Sequence, residues 1–109
     1  MKFYQSKPRL DAEGKLERTG LALNSIAKAV LLPGDPNRSK LISGFFHQSS
    51  FLSRKGTYSA YVGKTEKGGD IAVCSSGMGC NCVATALEDL SFAGASTIIR
   101  VGTCGGIIP

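Results

Sequence analysis

A few short apolar blocks punctuate an otherwise polar chain. Ala29-Val30-Leu31-Leu32 and Ile71-Ala72-Val73-Cys74 are continuous apolar runs of strand length. Residues 97–101 form a third such block, interrupted only by Arg100. Runs of this kind mark strands buried on both faces. Residues 57–62 read as a further strand, and Lys67-Gly68-Gly69-Asp70 as the turn after it. Two stretches carry helical spacing. In residues 37–45, Leu41, Ile42 and Phe45 fall on one side, and Asp35-Pro36 ahead of them suits a helix start. In residues 81–93, Val83, Leu87 and Leu90 fall at i, i+4 and i+7, and Gly94 stands where a left-handed cap belongs.

The predicted order is strand, helix, strand, strand, helix, strand. It implies an α/β fold with a mixed, largely parallel sheet and flanking helices. Residues 1–28 are polar and mixed in charge, broken by Pro8, Gly14 and Gly20, and are expected to form a loosely structured N-terminal arm. Residues 29–109 are expected to be the N-terminal portion of a larger domain, because the last strand ends in a glycine-rich loop and Pro109 closes the chain.

Composition narrows the classes. With 42% hydrophobic and 19% charged residues the chain is globular rather than disordered. No apolar run reaches the roughly 18 residues of a membrane span, and no apolar signal core opens the chain, so no membrane and a cytoplasmic location are expected. The net charge of +5 raises nucleic acid as a partner. The basic residues are scattered among acids from Lys2 to Lys67 without aromatic interleaving, so no nucleic-acid partner is expected. Cys74, Cys80, Cys82 and Cys104 lack paired zinc-ligand spacing, and His47 is the only histidine. They read as reduced thiols, with no metal.

Ligands of open α/β sheets gather at the carboxyl ends of the strands. Gly34 after the first strand lets backbone amides approach an anion, and Arg38 lies on the first turn of the next helix. After the last strand come Arg100, Gly102 and Thr103. A guanidinium in an apolar strand calls for a counter-charge, which is either a bound anion or an ion pair with Glu88 or Asp89. Gly77-Met78-Gly79 suggests a dinucleotide loop, but the third glycine of that fingerprint is replaced by Cys82.

Residues 30–38 (VLLPGDPNR), 73–90 (VCSSGMGCNCVATALEDL) and 99–109 (IRVGTCGGIIP) resemble the nucleoside phosphorylase-I family, which spans uridine phosphorylases and the hexameric type of purine nucleoside phosphorylase. The resemblance implies phosphate ligands at Gly34, Arg38, Arg100, Gly102 and Thr103. It also implies a nucleoside pocket lined by Thr103, Cys104 and Gly105. A further arginine of the family normally reaches the phosphate from a neighbouring subunit, from the stretch between the first helix and the hairpin, and Arg54 is the one available there. The family's N-terminal histidine is absent, and Arg18 falls near its position.

The implied reaction is phosphorolysis of a nucleoside to free base and ribose 1-phosphate. Inorganic phosphate is the co-substrate, no cofactor is expected, and the protein should be a homo-oligomer, dimer or hexamer. Gly102-Thr103 is like the uridine enzymes and Cys104-Gly105 like several purine enzymes, with uridine slightly favoured. Catalytic groups for the ribose and base are expected beyond Pro109, so that the 109 residues alone should be inactive. Two alternatives stay open: a nucleosidase of the same fold that uses water, and a non-catalytic phosphate-binding fragment.

Overall fold

A computed structural model describes residues 7–109 of the chain. The elements are β1 (Ala29–Leu32), α1 (Pro36–Ser43), β2 (His47–Lys55), β3 (Tyr58–Lys64), β4 (Asp70–Cys74), α2 (Cys80–Ala93) and β5 (Thr97–Arg100). They build one five-stranded sheet in the order β2-β3-β4-β1-β5. β4, β1 and β5 run parallel, and β2 and β3 extend the sheet as an antiparallel hairpin on the β4 side. The fold is therefore α/β with a mixed sheet, as the pattern implies.

Local chemistry explains the helix limits. Asp35 caps α1, its side chain accepting from the Asn37 amide at 2.8 Å, and Pro36 occupies the first turn. α2 ends on Gly94 at φ 114°, where the Ala95 amide reaches back to the Leu90 carbonyl at 2.9 Å.

The main core lies between the sheet and α2. Val30, Leu32, Ala60, Ala72 and Cys74 meet Ala86, Leu90 and Ala93 there. α1 packs against β3 and β4. Burial pushes the Cys74 thiol pKa up to about 12, so this cysteine stays protonated and acts as a small apolar side chain.

Four expectations need correction. The stretch expected to be a loose arm is folded in its described part: Leu16 and Leu21 are fully buried in the core, and bridges pair Leu10 with Leu16 and Lys15 with Ala22. Residues 1–6 of that stretch lie outside the described residues. Strand β2, absent from the pattern reading, pairs along β3. Helix α1 stops at Ser43, short of Phe45; it turns Leu41 outward, 68% exposed, and buries Ser39 and Ser43 instead, while Phe45 beyond the Gly44 cap is 81% exposed. Each of these serines donates to a carbonyl one turn back in its own helix, Ser39 to Pro36 and Ser43 to Lys40, so burial leaves no polar group unpaired. On α2 the buried stripe is Ala86, Leu90 and Ala93, while Leu87 is 41% exposed.

Asp89 shares the buried face of α2. It is buried and accepts from Thr19 Oγ1 at 3.0 Å, tying the N-terminal segment to α2. Among the described residues, no helix is long and apolar enough to cross a membrane.

Two outcomes follow from this packing. Leu16→Ala should lower unfolding free energy by about 2–5 kcal/mol in denaturant titration, as for any large core truncation. A loss near zero would return the segment to a loose arm. The second outcome concerns Asp89, whose carboxyl pKa burial raises above its ordinary 3.8, the Thr19 bond opposing. A raised acid favours the folded state when protonated, so its contribution is full below pH 3.8 and is lost as pH rises through the folded value. Wild-type stability relative to Asp89→Asn should fall over that interval, and a pH-independent difference would contradict it.

Candidate functional site

The carboxyl ends of the three parallel strands open into one cleft of about 730 Å³. Register brings them level. Leu32 of β1 stands beside Arg100 of β5, and Leu31 beside Val73 of β4. The pairing continues past the strands. The Ser76 amide donates to the Pro33 carbonyl at 2.9 Å, and the Gly77 amide to the Gly34 carbonyl at 2.8 Å. Three loops therefore leave the sheet together.

Gly34, Arg38, Arg100, Gly102 and Thr103, five of the residues singled out from sequence, all line this cleft. Asp35, Pro36, Thr57, Gly77, Met78, Gly79 and Cys82 complete its wall. Arg100 bends its guanidinium back over the strand end. Nη1 donates to the Leu32 carbonyl at 2.8 Å and to the Val101 carbonyl at 3.1 Å. Neither Glu88 nor Asp89 pairs with it among the described residues, which removes the structural ion pair as the reason for its position. Nη2 lies against Gly34, 3.4 Å from where a Cβ would stand, so a side chain there would crowd the charge. Gly102 sits equally close, its would-be Cβ 3.5 Å from the guanidinium carbon.

The electrostatics favour an anion. Arg38 and Arg100 face Asp35 as the only acid in the lining, and Asp35 is engaged in capping α1. α2 begins at Gly79 without a side-chain cap, so the positive end of its dipole is left open at the cleft wall. Met78, 90% exposed, gives one apolar surface. Among the described residues, no group of three or more His, Cys, Asp or Glu comes together as a metal site.

Four residues singled out from sequence are not part of this lining. Cys104 and Gly105 are exposed on the loop beyond Thr103. Arg54 is exposed on β2, the edge strand of the hairpin. Arg18 faces Glu88 and Asp89 in a separate small hollow. Conversely, Thr57, Met78 and Cys82 were missed. The strand-end rule applied to β4, as it was to β1 and β5, would have pointed to Gly77, Met78 and Cys82. No sequence signal pointed to Thr57, which reaches the cleft only through the hairpin.

The pattern of the phosphorylase superfamily matches residues 28–109. A uridine phosphorylase of Thermococcus kodakarensis is 36% identical over 99% of this chain and 39% of its own. A DeoD-type purine nucleoside phosphorylase of Latilactobacillus sakei is 41% identical over 75% of this chain and 36% of its own. Among solved structures, uridine phosphorylase from Vibrio fischeri superposes with a TM-score of 0.81 at 28% identity, covering 88% of this chain and 40% of that one. Purine nucleoside phosphorylase from Toxoplasma gondii, in complex with immucillin-H, gives 0.80 at 27% identity, covering 89% and 39%. The chain thus spans about two fifths of the length of these relatives. With a shared pattern over most of its residues and a shared fold, the chain belongs to the phosphorylase superfamily, as a relative of uridine and purine nucleoside phosphorylases.

Proposed function

We propose that the cleft is the phosphate half of a nucleoside phosphorylase site. The observation that carries this reading is that Arg38 of α1 and Arg100 of β5 line one cleft, with Arg100 held by carbonyls rather than by a carboxylate. A guanidinium has five N–H donors. Among the described residues only Nη1 is engaged, so Nε and Nη2 keep donors for a ligand. Phosphate oxygens match that planar fork, and Thr103 adds a hydroxyl beside it.

In phosphorolysis a phosphate oxygen attacks ribose C1′ while the C1′–N bond breaks. The base leaves with the electron pair and takes up a proton. C1′ carries positive charge on the way, so a phosphate held against it supplies both nucleophile and counter-charge. Gly34, Arg38, Arg100, Gly102 and Thr103 would hold the phosphate, and Thr103, Cys104 and Gly105 the adjoining edge of the nucleoside. Arg54, exposed on the edge strand, is free to serve a neighbouring subunit of a homo-oligomer. Gly102-Thr103 tilts the substrate choice towards uridine. Inorganic phosphate is the co-substrate, and the reaction needs no further cofactor.

The test, made on the complete gene product with the 109-residue chain beside it, is release of uracil from uridine, or hypoxanthine from inosine, with and without phosphate. Release only with phosphate, accompanied by ribose 1-phosphate, supports the proposal. Phosphate-independent release would make the protein a nucleosidase, and phosphate binding without turnover a non-catalytic binder.

Arg100→Ala should raise the phosphate KM and lower kcat/KM. Loss of a charge-assisted contact worth about 1.5–3 kcal/mol corresponds to a decrease of roughly ten- to a hundredfold. Unchanged phosphate dependence would remove Arg100 from the site. Gly34→Val should abolish phosphate binding, because a branched side chain would fill the space beside Nη2 that the glycine leaves to a ligand, its Cβ alone already reaching contact at 3.4 Å. Cys80→Ser should leave activity within about twofold, since Cys80 is exposed and outside the cleft lining. Zinc in the purified protein, or inactivity of Cys80→Ser, would overturn the thiol reading.

A further inference from the structure

The turn between β2 and β3 reaches the cleft, and the phosphate reading makes no use of it. Thr57 sits in that turn and lines the cleft. Its carbonyl accepts from Ser75 Oγ at 2.6 Å. The same hydroxyl oxygen accepts from the Ser59 amide at 2.9 Å, and the Ser75 amide donates to the Ser59 carbonyl at 3.0 Å. Ser75 is fully buried, so one hydroxyl fastens the turn to the end of β4.

The Thr57 side chain rests on Gly77. A Cβ at Gly77 would stand 2.7 Å from Thr57 Oγ1 and 3.0 Å from its Cβ, and φ there is 79°, so residue 77 is glycine both for space and for backbone. On its far side Gly77 donates to the Gly34 carbonyl at 2.8 Å, and its own carbonyl lies 3.5 Å from the Gly34 Cβ position. Gly34 in turn abuts Arg100. Thr57, Gly77, Gly34 and Arg100 therefore form a continuous line of contacts. Among the described residues, Thr57 Oγ1 makes no hydrogen bond of its own, so the contact with Gly77 is one of shape.

We infer that Thr57 is a positioning residue for the anion site: it holds the Gly77 loop against Gly34 and so fixes the gap in which an anion meets Arg100. The inference rests on the phosphate reading of the cleft. A β-branched side chain suits the task because its χ1 is stiff. A loop of glycines without that support has many backbone states, and the anion seat would widen with them.

The test compares Thr57→Ala with Thr57→Val in the intact protein. Binding of radiolabelled inorganic phosphate is measured by equilibrium dialysis, alongside melting temperature. Valine keeps the branched shape and loses the hydroxyl; alanine loses both. Thr57→Ala should weaken phosphate binding about tenfold or more at an unchanged melting temperature, since small displacements of a seat have large effects. Thr57→Val should stay within about twofold of wild type by the same argument. In turnover the alanine variant should raise the phosphate KM with kcat nearly constant. Equal losses in both variants would make Thr57 a direct hydrogen-bond ligand and overturn the positioning role. Wild-type affinity in Thr57→Ala would overturn the inference while leaving the phosphate reading intact. Wild-type protein that binds no phosphate would overturn both.

Discussion

An arginine whose charge is met by carbonyl oxygens rather than by a carboxylate governs the arrangement of this protein. Arg100 ends an apolar strand, and its Nη1 is held by Leu32 and Val101. Carbonyl dipoles fix the guanidinium in place but leave its full positive charge. Arg38 at the start of α1 adds a second charge to the same cleft. Two unneutralised cations lining one cleft repel one another, and they are tolerable where water or an anion can reach them. Glycines at 34 and 102 keep side chains away from the charge.

That geometry depends on register. The β1–β5 ladder sets Leu32 beside Arg100, so the carbonyl that fixes Nη1 comes from the adjacent strand at the same height. Past β4, the amides of Ser76 and Gly77 continue the pairing to Pro33 and Gly34. A one-residue slip in either pairing would turn Val30 and Leu32 away from α2 and carry Arg100 off the cleft. The core that opposes such a slip, Ala86, Leu90 and Ala93 on α2 with Leu16 and Leu21 from the N-terminal segment, lies behind the site rather than in it. The charged cleft and the apolar core are thus built by different side chains joined by the same three strands.

The strands legible in the sequence are those with continuous apolar runs: β1 and β4 are inner strands and largely buried, whereas β5 is announced by its run although it forms an edge of the sheet, with Ile99 exposed rather than covered on both faces. The caps at Asp35 and Gly94 are local chemistry and are equally plain. β2 was not legible, because HQSSFLSRK is an exposed edge strand whose extended form comes from pairing with β3. The N-terminal segment was hidden because its buried residues, Leu16, Thr19 and Leu21, follow no helical or strand period; their burial is set by α2, seventy residues on from Thr19 at Asp89. Helix α1 misled for a related reason. Serines that bond their own helix can face a sheet, and no periodicity of apolar residues records that. In the site, arginines and glycines at strand ends stood out, whereas Thr57 arrives through the hairpin and has no local signature.

The buried thiol of Cys74 gives the sheet an internal clock. It sits on β4 at the centre of the sheet, fully enclosed, with its pKa near 12. Only the thiolate reacts with an alkylating agent, so in the closed sheet this sulfur is silent, while Cys80 and Cys104 are exposed. Each opening of the strands around β4 restores an ordinary thiol to water for as long as the opening lasts. The slowest alkylation event in the native protein therefore measures how often the platform beneath the cleft comes apart, without denaturant and without a ligand.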